Sequence, residues 1–562
     1  MLKRHRLWAT VAGAVLVVPM LLAACGPTTS TSTGTTSTSG SQPKSGGTVT
    51  DALFEEPDTL LPFLTNETFA VMVDQAIWAP LWYGDPNGQL HAGIATEVPS
   101  TANGGISADG KTYTIHLKSG LKWSDGSPLT ADDLAFSLQL YSNPAFANTF
   151  GFPVTSDPNG VASVTEPDSS TVVLTLKSTN VTIDSLLADG ASSVIPKKVF
   201  GSMQPAQVAK SKENFQPTVT SGPFMVQSRV SGNSITLVKN PNYYQPGLPY
   251  LDGVTFKIIG DQATILTALQ SGQVDTAWFL DVNKLDSYKA ISGYTTYLDK
   301  NPAGWEAAYF NLKNPILADP VVRKALTMSF DPNVLVTQVW HGAAKPTCDD
   351  STGTFAHEPS LYPCYKQDPT AAGQALDQDG WTMGSDGYRH KNGKTLELRY
   401  STTAGKAYRE QTELLAQAAW KKIGVKIDIK NYPAQQFFAA GGAGILSSGN
   451  FDIGEFADTL GYDPDDHTLW MCDQTPDKGG SNYTHYCNPT VDQAEQTQMS
   501  NPDLSVRKQA FHTIHTQLLA DNPLMYYYSS SNISVAANTV HNYNPSPLGP
   551  TETWNIWEWW KS

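Results

Sequence analysis

The sequence predicts an α/β fold built on more than one sheet. Three observations carry that expectation. Period-two strands are interleaved with capped helices, two local units run strand–helix–strand, and the chain beyond residue 45 holds roughly 520 residues, far more than one core usually organises. Short β–α–β units joined by tight turns build mostly parallel, helix-covered sheets. No internal repeat is visible.

In chain order, the first segment is processing signal rather than fold. Lys3, Arg4 and Arg6 make a positive start, followed by an apolar run over 7–22 that Pro19 interrupts. A spanning helix needs roughly 20 apolar residues, so 1–24 reads as a cleavable signal segment. It ends in Leu22-Ala23-Ala24-Cys25-Gly26, which resembles the bacterial lipobox. Cleavage there leaves Cys25 as a lipid-bearing N-terminus; an ordinary secretory signal ending near a cysteine is the alternative. Residues 25–44, rich in Thr, Ser and Gly, bury nothing and are expected to form a disordered tether reaching roughly 25 Å.

The globular elements follow. Residues 112–117 and 171–176 alternate as strands. Thr130 opens a helix with Asp133 three residues on, a capping-box arrangement ahead of Leu134, Phe136, Leu138 and Leu140. Residues 254–279 read strand, helix from Asp261 to Gly272, strand. Residues 396–429 repeat that order, with a helix near 405–423 closed by Gly424. The last helix spans 503–521.

Charge and cysteines narrow the function classes. The formal net charge is −15, and loss of the segment before Cys25 removes three cations and no acid, leaving −18. Nucleic acid and an electrostatic membrane contact are disfavoured. Aromatics at 10%, with 14 Trp, suit a protein that meets ligands with flat surfaces. With Cys25 lipidated, Cys348, Cys364, Cys472 and Cys487 remain, in two local pairs. In an oxidising exterior these read as loop-closing disulfides; of three connectivities the local one needs least rearrangement, and a zinc site is the runner-up.

An ordered set of motifs then resembles the extracellular solute-binding proteins of the peptide/nickel type, partners of ABC importers. Gly46-Gly47-Thr48 leads to Pro57-Asp58-Thr59-Leu60-Leu61-Pro62, and residues 107–133 follow the family signature throughout. Further pieces are Ser221-Gly222-Pro223-Phe224, Asn240-Pro241-Asn242-Tyr243-Tyr244, residues 269–275, residues 319–326 and Asn488-Pro489-Thr490-Val491-Asp492. Most of these read as fold determinants, with Gly222 and Gly272 placed where the chain reverses. The resemblance implies a bilobal periplasmic-binding-protein-like clamp of the large, oligopeptide-binding type. One lobe comprises 45–88, 200–301 and 526–562; a subdomain over 89–199 is inserted into it; the second lobe spans 302–525. Crossings near 301 and 526 form the hinge.

The resemblance also implies a function. A monomer anchored on the extracytoplasmic face through Cys25 captures an oligopeptide between its lobes and delivers it to a permease and its ATPase. It needs no cofactor. Peptide-binding relatives place an aspartate four residues before the proline of the segment 458–464, and here that position is Leu460. Asp458 and Asp463 are the substitutes, and both could equally be solvated loop-tip acids. Tyr462, Trp305, Tyr309, Asn311 and Glu67 complete the candidate ligand contacts, with Trp305 otherwise a core residue. Asp463, Asp465, Asp466 and His467 read as a solvated tip rather than a metal site. Oligosaccharide, or nickel with a chelator, are the alternative ligands; His485 is the second histidine nickel needs. A surface adhesin or sensor without a transporter is the reading from another class. The chain has no G-x-S-x-G, H-E-x-x-H or G-x-x-x-x-G-K-[ST] motif, so nothing in it points to an enzyme.

Overall fold

The computed structural model describes residues 42–562 apart from 66, 147, 149–150, 158, 189–193, 299–302, 440–441, 443, 460 and 549–551. The signal segment, Cys25 and most of the tether therefore lie outside the described residues, as does Leu460.

The elements that position the site are, in chain order, β1 (Thr48–Leu53), α1 (Thr68–Ile77), β2 (Thr112–His116), α2 (Ala131–Tyr141), β3 (Val161–Asp168), β4 (Thr171–Leu176), β5 (Phe224–Val230), β6 (Ser234–Lys239), β7 (Gly253–Ile258), α3 (Gln262–Gln270), β8 (Thr276–Ala277), β9 (Tyr294–Leu298), β10 (Gly304–Phe310), β11 (Ala344–Lys345), β12 (Glu397–Ser401), α4 (Ala407–Lys422), β13 (Lys426–Ile429), β14 (Ile453–Thr459), α5 (Pro489–Ser500), α6 (Leu504–Asp521), β15 (Leu524–Ser530) and β16 (Ile533–Ala537).

Three sheets organise them. A seven-stranded sheet runs β9-β16-β8-β1-β7-β6-β5, and a six-stranded sheet runs β11-β15-β10-β14-β12-β13. A three-stranded sheet, β2-β4-β3, lies in the stretch inserted between α1 and β5. The two local β–α–β units give the parallel pairs. The β1–α1…β7–α3–β8 path sets β1 parallel to both β7 and β8, and β12–α4–β13 is parallel with β14 added beside β12. The closing strand of the first unit, expected over 274–279, is only Thr276–Ala277, because residues 278–279 turn out of the sheet.

The chain enters the six-stranded sheet between Leu298 and Gly304 and leaves it after Ser530. The return expected near 526 therefore falls at 531–532, since Tyr526, Tyr527 and Tyr528 all remain laddered or packed within that lobe. Central strands bury both faces. Along β10, Trp305, Ala307 and Tyr309 face one core, while Ala308 and Phe310 face the other.

Local signals behave as their chemistry requires. Asp133 Oδ2 accepts from the Thr130 N–H at 3.1 Å, and Asp261 Oδ1 accepts from the Thr264 N–H at 2.8 Å. Gly272 (φ +69°) and Gly424 (φ +83°) supply left-handed turns. Gly222 does something else. Its N–H donates to Ile77 O at 2.8 Å, and a Cβ there would come within 2.4 Å of Ile77 C. Close approach to α1, rather than chain reversal, is what requires glycine. Both local disulfides are formed, Cys348–Cys364 and Cys472–Cys487.

Candidate functional site between the two lobes

In sheets with parallel strands, the carboxyl ends of those strands are where ligands are met, because side chains and loops there are free of the ladder. Both sheets direct these ends at one another. From the seven-stranded sheet come Phe54 and Glu55 after β1, and Trp278 and Phe279 after β8. From the six-stranded sheet come residues 402–406 after β12 and Asp458–Thr459 at the end of β14. Contact between the two sets is direct: Lys406 Nζ lies 3.6 Å from the Phe54 ring centre and 3.8 Å from that of Phe279.

The first wall is aromatic and acidic. Trp278 and Phe279 stack at 5.2 Å, and Phe69 packs edge-on to both. Glu67 caps α1, its two carboxylate oxygens accepting from the Phe69 and Ala70 N–H groups at 2.9 and 2.8 Å. Burial, and then the neighbouring Glu55 carboxylate, push its pKa up to about 8 against those two hydrogen bonds. At the rim, a depression of about 410 Å³ is lined by Glu56, Asp58, Phe215 and Arg229 on one side and Gln435 on the other.

The second wall is a hydrogen-bonded file. Trp305 Nε1 donates to Tyr309 Oη at 3.2 Å, and Tyr309 Oη donates to Asp458 Oδ2 at 2.6 Å. Trp305 and Asp458 are direct partners across β10 and β14. Tyr309 stacks on Phe456 at 4.2 Å, which fixes the ring that holds the acid. Burial raises the Asp458 carboxyl to about 6; the Tyr309 hydrogen bond works the other way, and Glu306 adds to the rise.

The remaining candidates separate clearly. Tyr462 Oη donates to Gly84 O at 2.9 Å, so this ring joins the second lobe to the strand Trp82–Gly84. Asp463 is not a loop-tip acid in water. Arg507 holds it through two hydrogen bonds of 2.6 and 2.5 Å. Asn311 lies just past the far end of β10, roughly 23 Å from Gly304 at about 3.3 Å per residue. Its amide donates to Gly449 O and Phe451 O at 3.1 and 2.9 Å.

The acidic tip is packed, not solvated as expected. Asp465 pairs with His467 at 2.8 Å and accepts from Thr182 Oγ1 of the inserted subdomain at 3.1 Å, while Asp466 is 1% exposed. Beside it, the Val181 N–H donates to Met499 O at 2.7 Å, a second bridge between subdomain and second lobe. Among the described residues no group of three or more His, Cys, Asp or Glu is arranged to hold a metal ion. None of the described helices is long and apolar enough to cross a membrane.

Sequence reasoning missed Phe54, Phe279 and Lys406. Their signal was positional: each follows a strand of a parallel unit directly or within one turn, where the carboxyl-end rule would have found it.

Comparison with known proteins agrees with this architecture. The model of the bacterial extracellular solute-binding proteins, family 5 (middle), matches residues 89–480. The oligopeptide-binding protein AppA of Bacillus subtilis is 24% identical over 572 residues, covering 100% of this chain and 99% of its own. Its solved structure with a nonapeptide superposes with a TM-score of 0.83 at 22% identity, covering 93% of this chain and 100% of that one. NikZ of Campylobacter jejuni, solved with Ni(L-His), superposes at 0.80 and 22% identity, covering 92% and 99%. The fold is therefore the type II bilobal clamp. This chain belongs to the bacterial extracellular solute-binding proteins, family 5.

Proposed function

We propose that the protein is the capture component of an ABC importer, enclosing an oligopeptide between its lobes and handing it unaltered to a permease driven by an ATPase. The observation that carries this reading is the meeting of the two sets of parallel-strand ends, one aromatic and acidic, the other bearing a single hydrogen-bonded acid. Extended peptides are held chiefly by backbone pairing, which tolerates many sequences, and by a few charges that fix their ends. AppA, whose length this chain spans almost completely, is an oligopeptide-binding protein by name.

Asp458 is the acid we assign to the peptide's α-ammonium. With a carboxyl raised to about 6 it is ionised at neutral pH, and Tyr309 orients it. Asp463 is already neutralised by Arg507. Glu67, Trp305 and Tyr462 complete the cleft: the first caps α1 behind the aromatic wall, the second sets the Tyr309 hydroxyl, and the third joins the rims. Clamp closure over a guest is a population shift toward the enclosed state. Nothing in this chemistry calls for turnover. Lipidation of Cys25 would hold a monomer on the extracytoplasmic face of the membrane, which the Leu22-Ala23-Ala24-Cys25 motif supports; intact-mass measurement of the protein from membranes checks it.

The test is thermal-shift screening against mixed pentapeptides, cello-oligosaccharides and nickel–histidine. A ligand at about 100 times its Kd stabilises by about 2.7 kcal/mol. Peptides alone should shift the transition, and should be recovered unhydrolysed. A shift with the sugars or the chelate and none with peptides refutes the peptide assignment.

A further inference from the structure

Lys406 projects from the six-stranded-sheet lobe into the other lobe. Its ammonium group lies between the rings of Phe54 and Phe279, 3.6 and 3.8 Å from their centres, with Glu55 Oε1 4.0 Å away. The side chain is 4% exposed, and among the described residues its Nζ has no hydrogen-bond partner. The cage is rigidly built. Phe279 holds φ at +58°, a conformation L-residues rarely adopt and one that collects at functional positions. Gln262 fixes that turn from α3, its Nε2 donating to Phe279 O at 3.0 Å and its Oε1 accepting from the Asp281 N–H at 3.1 Å. Trp278 and Phe69 buttress the ring from behind.

Two ring faces attract a cation, but an ammonium without acceptors has given up its water. Separating the lobes returns it to solvent. We propose that Lys406 and the Phe54–Phe279–Glu55 cage form a proton-linked latch, in which the lobes close with the amine seated between the rings and its proton released. This rests on the capture reading, because it requires lobes that part.

The charged groups around the amine act, on balance, against burial. Glu55 and Asp281 of the first lobe and Glu306 on β10 favour the cation, and Arg409 on α4 opposes it. Glu306 and Arg409 largely satisfy one another, paired at 2.8 Å. Burial dominates and brings the Lys406 pKa down to about 7, from an ordinary lysine value of 10.5. The closed form therefore binds fewer protons than the open form, and rising pH favours closure. Between about pH 7 and 10 each unit raises the closed-to-open ratio by up to about tenfold; below 7 this group contributes no dependence.

Small-angle scattering of the unliganded protein from pH 6 to 10 tests the latch, with Lys406→Met and Lys406→Arg beside it. The wild type should contract above pH 7. Both variants should lose the contraction, Met having no proton to give up and Arg keeping its own; the buried Glu67 carboxyl, which titrates near 8 and acts in the opposite sense, is common to all three proteins. Equal contraction in wild type and variants overturns the latch. A wild type indifferent to pH that still contracts with mixed pentapeptides overturns it while leaving capture intact; indifference to both removes the capture reading as well. Lysine Cε NMR gives a readout free of folding defects in the variants. One wild-type lysine should titrate well below the ordinary 10.5, between the closed-form value of about 7 and the open-form one, and a spectrum in which every lysine titrates near 10 overturns the proposal.

Discussion

The Tyr309 hydroxyl donates to Asp458 Oδ2 at 2.6 Å, and the two side chains belong to neighbouring antiparallel strands with Phe456 stacked beneath the ring. The acid is thus aimed by a group that cannot turn. This differs from an acid at a loop tip, where rotamer freedom would be lost on each capture.

Asp458→Asn should weaken peptide capture by about tenfold to a hundredfold, the range for losing a hydrogen bond to a charged group. Binding of an uncharged solute should change little. Because burial raises this carboxyl to about 6, capture by the wild type should also fall as pH drops through 6, and the variant should lose that dependence. Titration calorimetry at pH 5, 6 and 7.5 reads both effects.

Gly84→Ala should hinder closure. A Cβ at Gly84 would come within 2.2 Å of the Tyr462 ring, which cannot slide aside without giving up its hydrogen bond to Gly84 O. Peptide affinity should drop by about tenfold with the thermal transition nearly unchanged. Scattering with saturating peptide should show a larger radius than the wild type.

Arg507→Met should destabilise the protein by about 3–5 kcal/mol, because it strands the Asp463 carboxylate, 10% exposed, without its partner. Replacing both residues, Asp463→Asn with Arg507→Met, should recover much of that loss. Urea denaturation of the three proteins decides; an additive double variant would deny the pairing.

His515 gives a pH signature. It is fully buried, with Nδ1 2.7 Å from Glu358 Oε1 and Nε2 3.2 Å from Asp350 Oδ1. Burial alone would lower its pKa, but these carboxylates outweigh burial and raise it to about 10. A raised folded-state pKa means the stabilisation is complete below the ordinary value of 6.5 and is lost as pH rises through 10. The difference in Tm between wild type and His515→Leu should be widest below pH 6.5 and should narrow steadily toward pH 10.

The candidate site was only partly legible. The sequence pointed to Asp458, Tyr309 and Trp305, which lie on one strand pair; Trp305 and Tyr309 are core residues there, and Asp458 is the acid we propose for the ligand. Asp463 and Asn311 look the same in sequence, yet their side chains are spent elsewhere: Arg507 is 44 residues away in the chain and Phe451 is 140. No local pattern encodes such partners. Lys406 was silent for the same reason, since a lysine before a helix ordinarily faces water and only the other lobe gives it rings to enter.

By itself the sequence determined the two β–α–β units and the helix caps, and it favoured the two local disulfides, all of which depend on residues close together in the chain. The tertiary structure alone decided which acids are free and which are paired, and that two sheets converge on Lys406. Those outcomes follow from burial and from long-range contact, and the cost of desolvating a charge is set by whatever the fold brings beside it.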